Sequence, residues 1–110
     1  MCRALKVLCV APDDHTLTAL RAATVSAEWE LTPGATTETD ALAVIDVERP
    51  QILVAFGPYE ALLALVRERF PGMRIVADRD APGASAVAIS FEQVRGSIRD
   101  LPGAGGPIGP

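Results

Sequence analysis

Apolar positions follow two rhythms along this chain. Short runs with few polar interruptions fall at Leu5–Val10, Ile52–Phe56 and Met73–Ala77, and the stretches between them carry apolar residues three and four apart. Ile52–Phe56 is the clearest run, with Pro50 before it and Gly57-Pro58 after it. Five apolar positions without a break predict a strand buried on both faces, and so the middle of a parallel sheet with helices packed on each side. The carboxyl end of such a strand is where an open α/β sheet places its chemistry, and a phenyl ring, Phe56, stands there.

Taken in order, Leu5–Val10 predicts the first strand. Ala11-Pro12-Asp13-Asp14 closes it, and either aspartate can cap a helix reaching about Ala23, with Leu17 and Leu20 inward. Trp29–Thr32 is a short second strand, and Pro33 directly after it suits a sheet edge, where a missing N–H costs nothing. A second helix starts in Thr37–Asp40, turns Leu42 and Ile45 inward and ends before Pro50. A third follows Gly57-Pro58 and runs to about Phe70, with Leu62, Leu65, Val66 and Phe70 as its buried stripe; Pro71-Gly72 stops it. Met73–Ala77 is the fourth strand and Ala86–Ile89 the fifth. Glu92–Leu101 is a closing helix, with Phe91, Val94, Ile98 and Leu101 at helical spacing.

Strand–helix alternation of this kind predicts a doubly wound parallel α/β sheet of five strands with right-handed crossovers. One joint breaks the rhythm. Residues 78–85, Asp-Arg-Asp-Ala-Pro-Gly-Ala-Ser, are too few for a crossover that contains a helix, which needs about a dozen. The helix between the fourth and fifth strands is therefore expected to be missing or much reduced.

Composition narrows the function classes. A chain of 110 residues, 49% hydrophobic, has room for one domain and one modest core. Residues 1–101 are assigned to it. Pro102–Pro110, rich in Gly and Pro and without charge, reads as a disordered tail or the stub of a linker. The net charge of −4, with Lys6 the one lysine, leaves no basic block for nucleic acid. Cys2 and Cys9 make neither a disulfide framework nor a metal site. No apolar run approaches membrane-spanning length, and Met1–Val10 is too short in its apolar part for a signal peptide. A soluble, cytoplasmic protein without a cofactor is expected.

Four segments, in the right order and at plausible spacing, give the chain a likeness. They are Val10-Ala-Pro-Asp-Asp14 after the first strand, Arg49–Phe56 through the third, Arg67–Ala77 from the third helix into the fourth strand, and Gly83–Phe91 before the last helix. Over about residues 4–101 the chain resembles the receiver domain of bacterial response regulators, in a degenerate form. The resemblance implies a flavodoxin-like sheet of order 2-1-3-4-5. It also implies phosphoryl transfer to an aspartate at the end of the third strand. An acidic pair would hold Mg²⁺, a hydroxyl side chain after the fourth strand would bind the phosphoryl group, and a lysine after the fifth would contact it. Carried over position by position, only the acidic pair survives, as Asp13 and Asp14. The nucleophile position falls on Phe56, the hydroxyl position near Asp78 or Arg79, and the lysine position on Ser90, followed by Phe91 instead of proline. Phosphoryl transfer is nearly all positioning and charge neutralisation, so a pocket without nucleophile, hydroxyl and lysine is expected not to be phosphorylated.

The remaining polar residues support little chemistry. Asp13 and Asp14 could keep a weak Mg²⁺ site, but one capping the first helix and the other solvated is the better expectation, so no metal is assigned. Arg79 could reach the acidic pair in place of the metal and lysine. His15 has no nucleophile beside it, and Gly57-Pro58 and Pro82-Gly83 read as turn punctuation. No enzymatic constellation is present.

The missing crossover helix should instead leave apolar surface to be covered, with Ile75, Val87, Ile89 and Phe91 as the candidate interaction surface. The resemblance places this face at the family's dimer and output surface. The expected function is a non-phosphorylatable receiver-like signalling module that works through protein–protein contact, as a homodimer or with another protein, or as the regulatory part of a transcriptional regulator. The alternative is a small-ligand or metal binder whose crevice at the strand ends uses Asp13, Asp14 and Arg79.

Overall fold

The apolar run in the middle of the chain does become the middle strand of the sheet. A computed structural model describes residues 5–26, 29–70, 72–78, 84 and 86–100. In it β3 (Ile52–Ala55) has all four side chains buried and lies between β1 (Leu5–Val10) and β4 (Arg74–Ala77). The short β2 (Trp29–Leu31) and β5 (Ala86–Val87) form the two edges. All pairings are parallel and the order is β2-β1-β3-β4-β5, the flavodoxin-like arrangement that the resemblance implies.

Alternation along the strands feeds two cores. Leu8, Val10, Leu53, Ala55, Ile75 and Ala77 point to one face, covered by α2 (Glu38–Glu48) and α3 (Glu60–Arg69). Val7, Cys9, Ile52, Val54 and Val76 point to the other, covered by α1 (Asp14–Thr24) and α4 (Val94–Asp100). A parallel strand sealed on both faces has no solvated side, which is why β3 contains no polar residue.

Helix ends follow their capping residues. Asp13 caps α1: its Oδ1 accepts the Thr16 N–H at 2.8 Å. Thr37 caps α2, its hydroxyl accepting from Asp40 N at 3.1 Å. At the other end of α2, Arg49 takes a left-handed conformation, φ 53°, immediately before Pro50. α3 starts at Glu60, after Tyr59, whose side chain makes no capping hydrogen bond.

Several details differ from expectation, the strand ends for local reasons. β3 stops at Ala55 because the chain turns at Gly57, φ 136°; Phe56 still donates its N–H to Val10 O at 2.9 Å. β4 begins at Arg74, since Met73 N–H closes a turn onto Phe70 O. β5 ends at Val87, short of Ile89, because the Ile89 N–H is bonded to Gln93 Oε1 at 3.0 Å. In α3 the buried side chains are Leu62, Leu63 and Val66, with Leu65 and Phe70 only half-buried. The closing helix is preceded by a single 3-10 turn, Phe91–Gln93, and buries Val94 and Ile98.

Four helices thus serve five parallel strands among the described residues. No helix is described between β4 and β5, whose registers pair Val76 with Ala86 and Ala77 with Val87. Leu101, Cys2 and the Pro102–Pro110 segment lie outside the described residues.

Candidate functional site

Sheet order reverses direction between β1 and β3, and the crevice of a doubly wound sheet opens at the carboxyl ends of the two strands that flank that reversal. β1 delivers Ala11–Asp14 there. β3 delivers Phe56, Gly57 and Tyr59, and the segment after β5 delivers Ala88–Phe91.

Asp13 caps its helix through both carboxylate oxygens. Oδ1 accepts from Thr16 N and Oδ2 from Thr16 Oγ1 at 3.1 Å. The backbone hydrogen bond from Thr16, followed by the hydroxyl one and the nearby His15, holds its carboxyl below the ordinary aspartate value. Asp14, the next residue, is exposed in the first turn, where the helix dipole favours an acid. His15 is exposed as well.

Phe56 occupies the end of β3. It is only 8% exposed and belongs to the core under α1 and α4, beside Ala88 and Val94. Its ring meets that of Phe91 at 5.2 Å between centroids, tilted by 48°. This is an ordinary favourable geometry for an aromatic pair. Ser90, at the start of the 3-10 turn, is exposed; its carbonyl accepts from Gln93 N while its hydroxyl makes no capping bond. Arg79 lies outside the described residues.

Tyr59, which the sequence pattern does not single out, organises the β3–α3 side of the crevice. Its ring is buried, and its hydroxyl donates to Thr36 O at 3.0 Å. Burial, then the negative charges of Asp13 and Glu38, raise its pKa. A Cβ on Gly57 would lie 2.9 Å from Tyr59 Cε2 and 3.3 Å from Pro12 Cδ. Here the loops after β1 and β3 touch, and only a glycine fits. The aromatic beside a Gly-Pro turn was the available signal. Cys9 is a core thiol that burial pushes up to about 11, an inert residue.

The Mg²⁺ implied by the resemblance does not fit these residues. Both oxygens of Asp13 already accept from Thr16, Phe56 offers carbon where a third oxygen would be needed, and among the described residues no group of three His, Cys, Asp or Glu side chains is placed to hold a metal.

The expected interaction surface needs a correction. Ile75 is 1% exposed and packs under α2 and α3 with Leu53 and Val66, because its position in β4 points away from the α1/α4 side. Phe91 is half-buried against Phe56. Of the four, Val87 and Ile89 face solvent, 40% and 73% exposed. They lie along and just beyond the edge strand β5.

No protein-family profile matches the sequence, and no curated protein does. Solved structures do. The Vibrio cholerae chemotaxis protein CheY4 superposes with a TM-score of 0.74 at 16% identity, covering 90% of this chain and 99% of that one. A CheY-like response regulator receiver domain from Methanospirillum hungatei gives 0.71 at 19% identity, covering 89% and 93%. An orphan response regulator from H. pylori gives 0.68 at 9% identity, covering 86% and 93%. The chain has the receiver fold. On this receiver fold, Phe56 takes the place directly after the central strand, and Asp13 and Asp14 follow the first. No helix of the described residues is long and apolar enough to cross a membrane.

Proposed function

We propose that this chain is a receiver-like signalling module that works without phosphorylation, through contact with a protein partner or a second copy of itself. It acts alone or as the regulatory part of a transcriptional regulator. One observation carries the reading: at the end of β3 a buried phenyl ring, packed on Phe91, stands where the resemblance expects a carboxylate nucleophile. A ring carbon has no lone pair with which to attack phosphorus, and Asp13, turned to its helix, is not placed to hold the Mg²⁺ that would neutralise a phosphoryl group. The receiver fold of an orphan response regulator among the similar structures is in keeping with this reading. The contact surface is the β5 edge, where Val87 and Ile89 are exposed and no crossover helix is described.

The test is intact-mass spectrometry after incubation with acetyl phosphate and Mg²⁺, together with sedimentation velocity over a range of concentrations. No mass increase is expected, and association should be the same with and without the phosphoryl donor. A stoichiometric phosphoryl adduct would overturn the proposal. Ile89→Glu is expected to abolish association while leaving the fold intact.

A further inference from the structure

The far pole of the sheet, at the amino ends of β3 and β4, holds a cavity of about 280 Å³ lined by Ile45, Arg49, Pro50, Gln51, Phe70, Gly72 and Met73. Ile45 closes the last turn of α2, Phe70 ends α3, and Met73 precedes β4, so the walls come from three separate elements. An apolar cavity of about 150 Å³ is enough to take a benzene molecule. This one has room for a ring and a polar head.

Arg49 makes the site more than a packing gap. It closes α2 in the left-handed region, φ 53° and ψ 56°, a conformation in which a side chain is uncommon and which glycine or asparagine would adopt with less strain. Its guanidinium is lightly held: Nε donates to Asp46 O at 3.2 Å, and the Asp46 carboxylate stands 4.0 Å away with both side chains largely exposed. The other nearby acid, Glu48, is paired with Lys6 Nζ at 3.3 Å. Two parallel N–H donors of a guanidinium match a carboxylate. Gln51, also in the lining, accepts the Lys6 N–H through Oε1 at 2.8 Å.

We infer that this cavity binds a small monocarboxylate with an aromatic or branched aliphatic body, the body among Ile45, Pro50, Phe70 and Met73 and the carboxylate on the Arg49 guanidinium. The site lies at the opposite end of the sheet from Phe56 and is independent of the function proposed above.

Sodium benzoate and benzyl alcohol, same ring and different charge, are the probes. Each is titrated into the ¹⁵N-labelled full chain and followed by two-dimensional NMR. Benzoate is expected to give saturable shifts at the amides of Ile45, Arg49, Gln51 and Met73, and to bind about tenfold more tightly than benzyl alcohol, a difference of ~1.4 kcal/mol. Arg49→Asn, which suits the left-handed position and so keeps the fold, should bind both probes equally. No saturable shift at these residues, or shifts at the Phe56 end instead, would overturn the site. Equal affinities in the unmodified chain, or a benzoate preference surviving in Arg49→Asn, would overturn the role of Arg49.

Discussion

Asp13 shows how a residue that looks like chemistry can be architecture. Both its oxygens accept from Thr16, and its pKa is lowered in the fold. A carboxyl with a depressed folded-state pKa stabilises fully above its unfolded value, about 3.9, and loses that contribution as pH falls through the lower folded value. Asp13→Ala should therefore lower the melting temperature at neutral pH and make little difference well below the unfolded value. Thermal melts across that range check it, and a pH-independent effect would contradict the capping role. Gly57 is the second residue with a defined load. Its φ is 136°, and Tyr59 comes within 2.9 Å of where a Cβ would stand, so no side chain fits. Gly57→Ala should cost about 2 kcal/mol in urea unfolding. Trp29 is a poor reporter for either change: it pairs with Leu5 at the amino end of the sheet, and its indole N–H is bonded to Thr24 O at 2.8 Å.

At the scale of elements, β5 and α4 carry the contrast between core and surface. Ile98 is buried under the sheet, whereas Ile89, earlier in the same closing segment, stands in solvent. Ile98→Ala should destabilise by about 3 kcal/mol. Ile89→Ala should change stability by less than about 0.5 kcal/mol, measured on dilute protein so that association does not contribute. Equal effects would mean that Ile89 belongs to the core. Most elements were legible in the sequence because period and punctuation agreed. The unbroken Ile52–Phe56 run, the polar Thr37–Asp40 helix start and the Pro-Gly stop after Phe70 each pointed one way, whereas Asp13 and Asp14 were equal candidates for the first cap and the fold chooses Asp13. The differences arose where tertiary contacts decide. Whether Ile75 faces the α2/α3 layer or the α1/α4 layer depends on which way β4 is turned, which a run of apolar residues does not reveal. The early end of β5 depends on a side chain, Gln93, taking a backbone donor.

Across the whole molecule, the receiver fold persists with four helices described for its five strands and with aromatic rings at its chemical end. The acidic pair and the Phe56 position could be read directly from sequence order. The Phe56–Phe91 contact could not, because those residues are distant in the chain and meet only when β3 and the segment after β5 converge. Nor could Tyr59, whose value lies in a hydrogen bond to the β2–α2 connection. Together these contacts tie the loops after β2, β3 and β5 into one arrangement, which on the proposed function neither metal nor phosphoryl group switches.

The most direct measurement is a ¹H–¹⁵N NMR titration of the chain with Mg²⁺ and then with beryllofluoride, the phosphoryl mimic. Amides of Asp13, Asp14, Phe56, Gly57, Ala77 and Ala88 report on the crevice. A receiver-like module that works without phosphorylation should leave them where they are at every concentration. Saturable shifts of these amides that require both additions would contradict it.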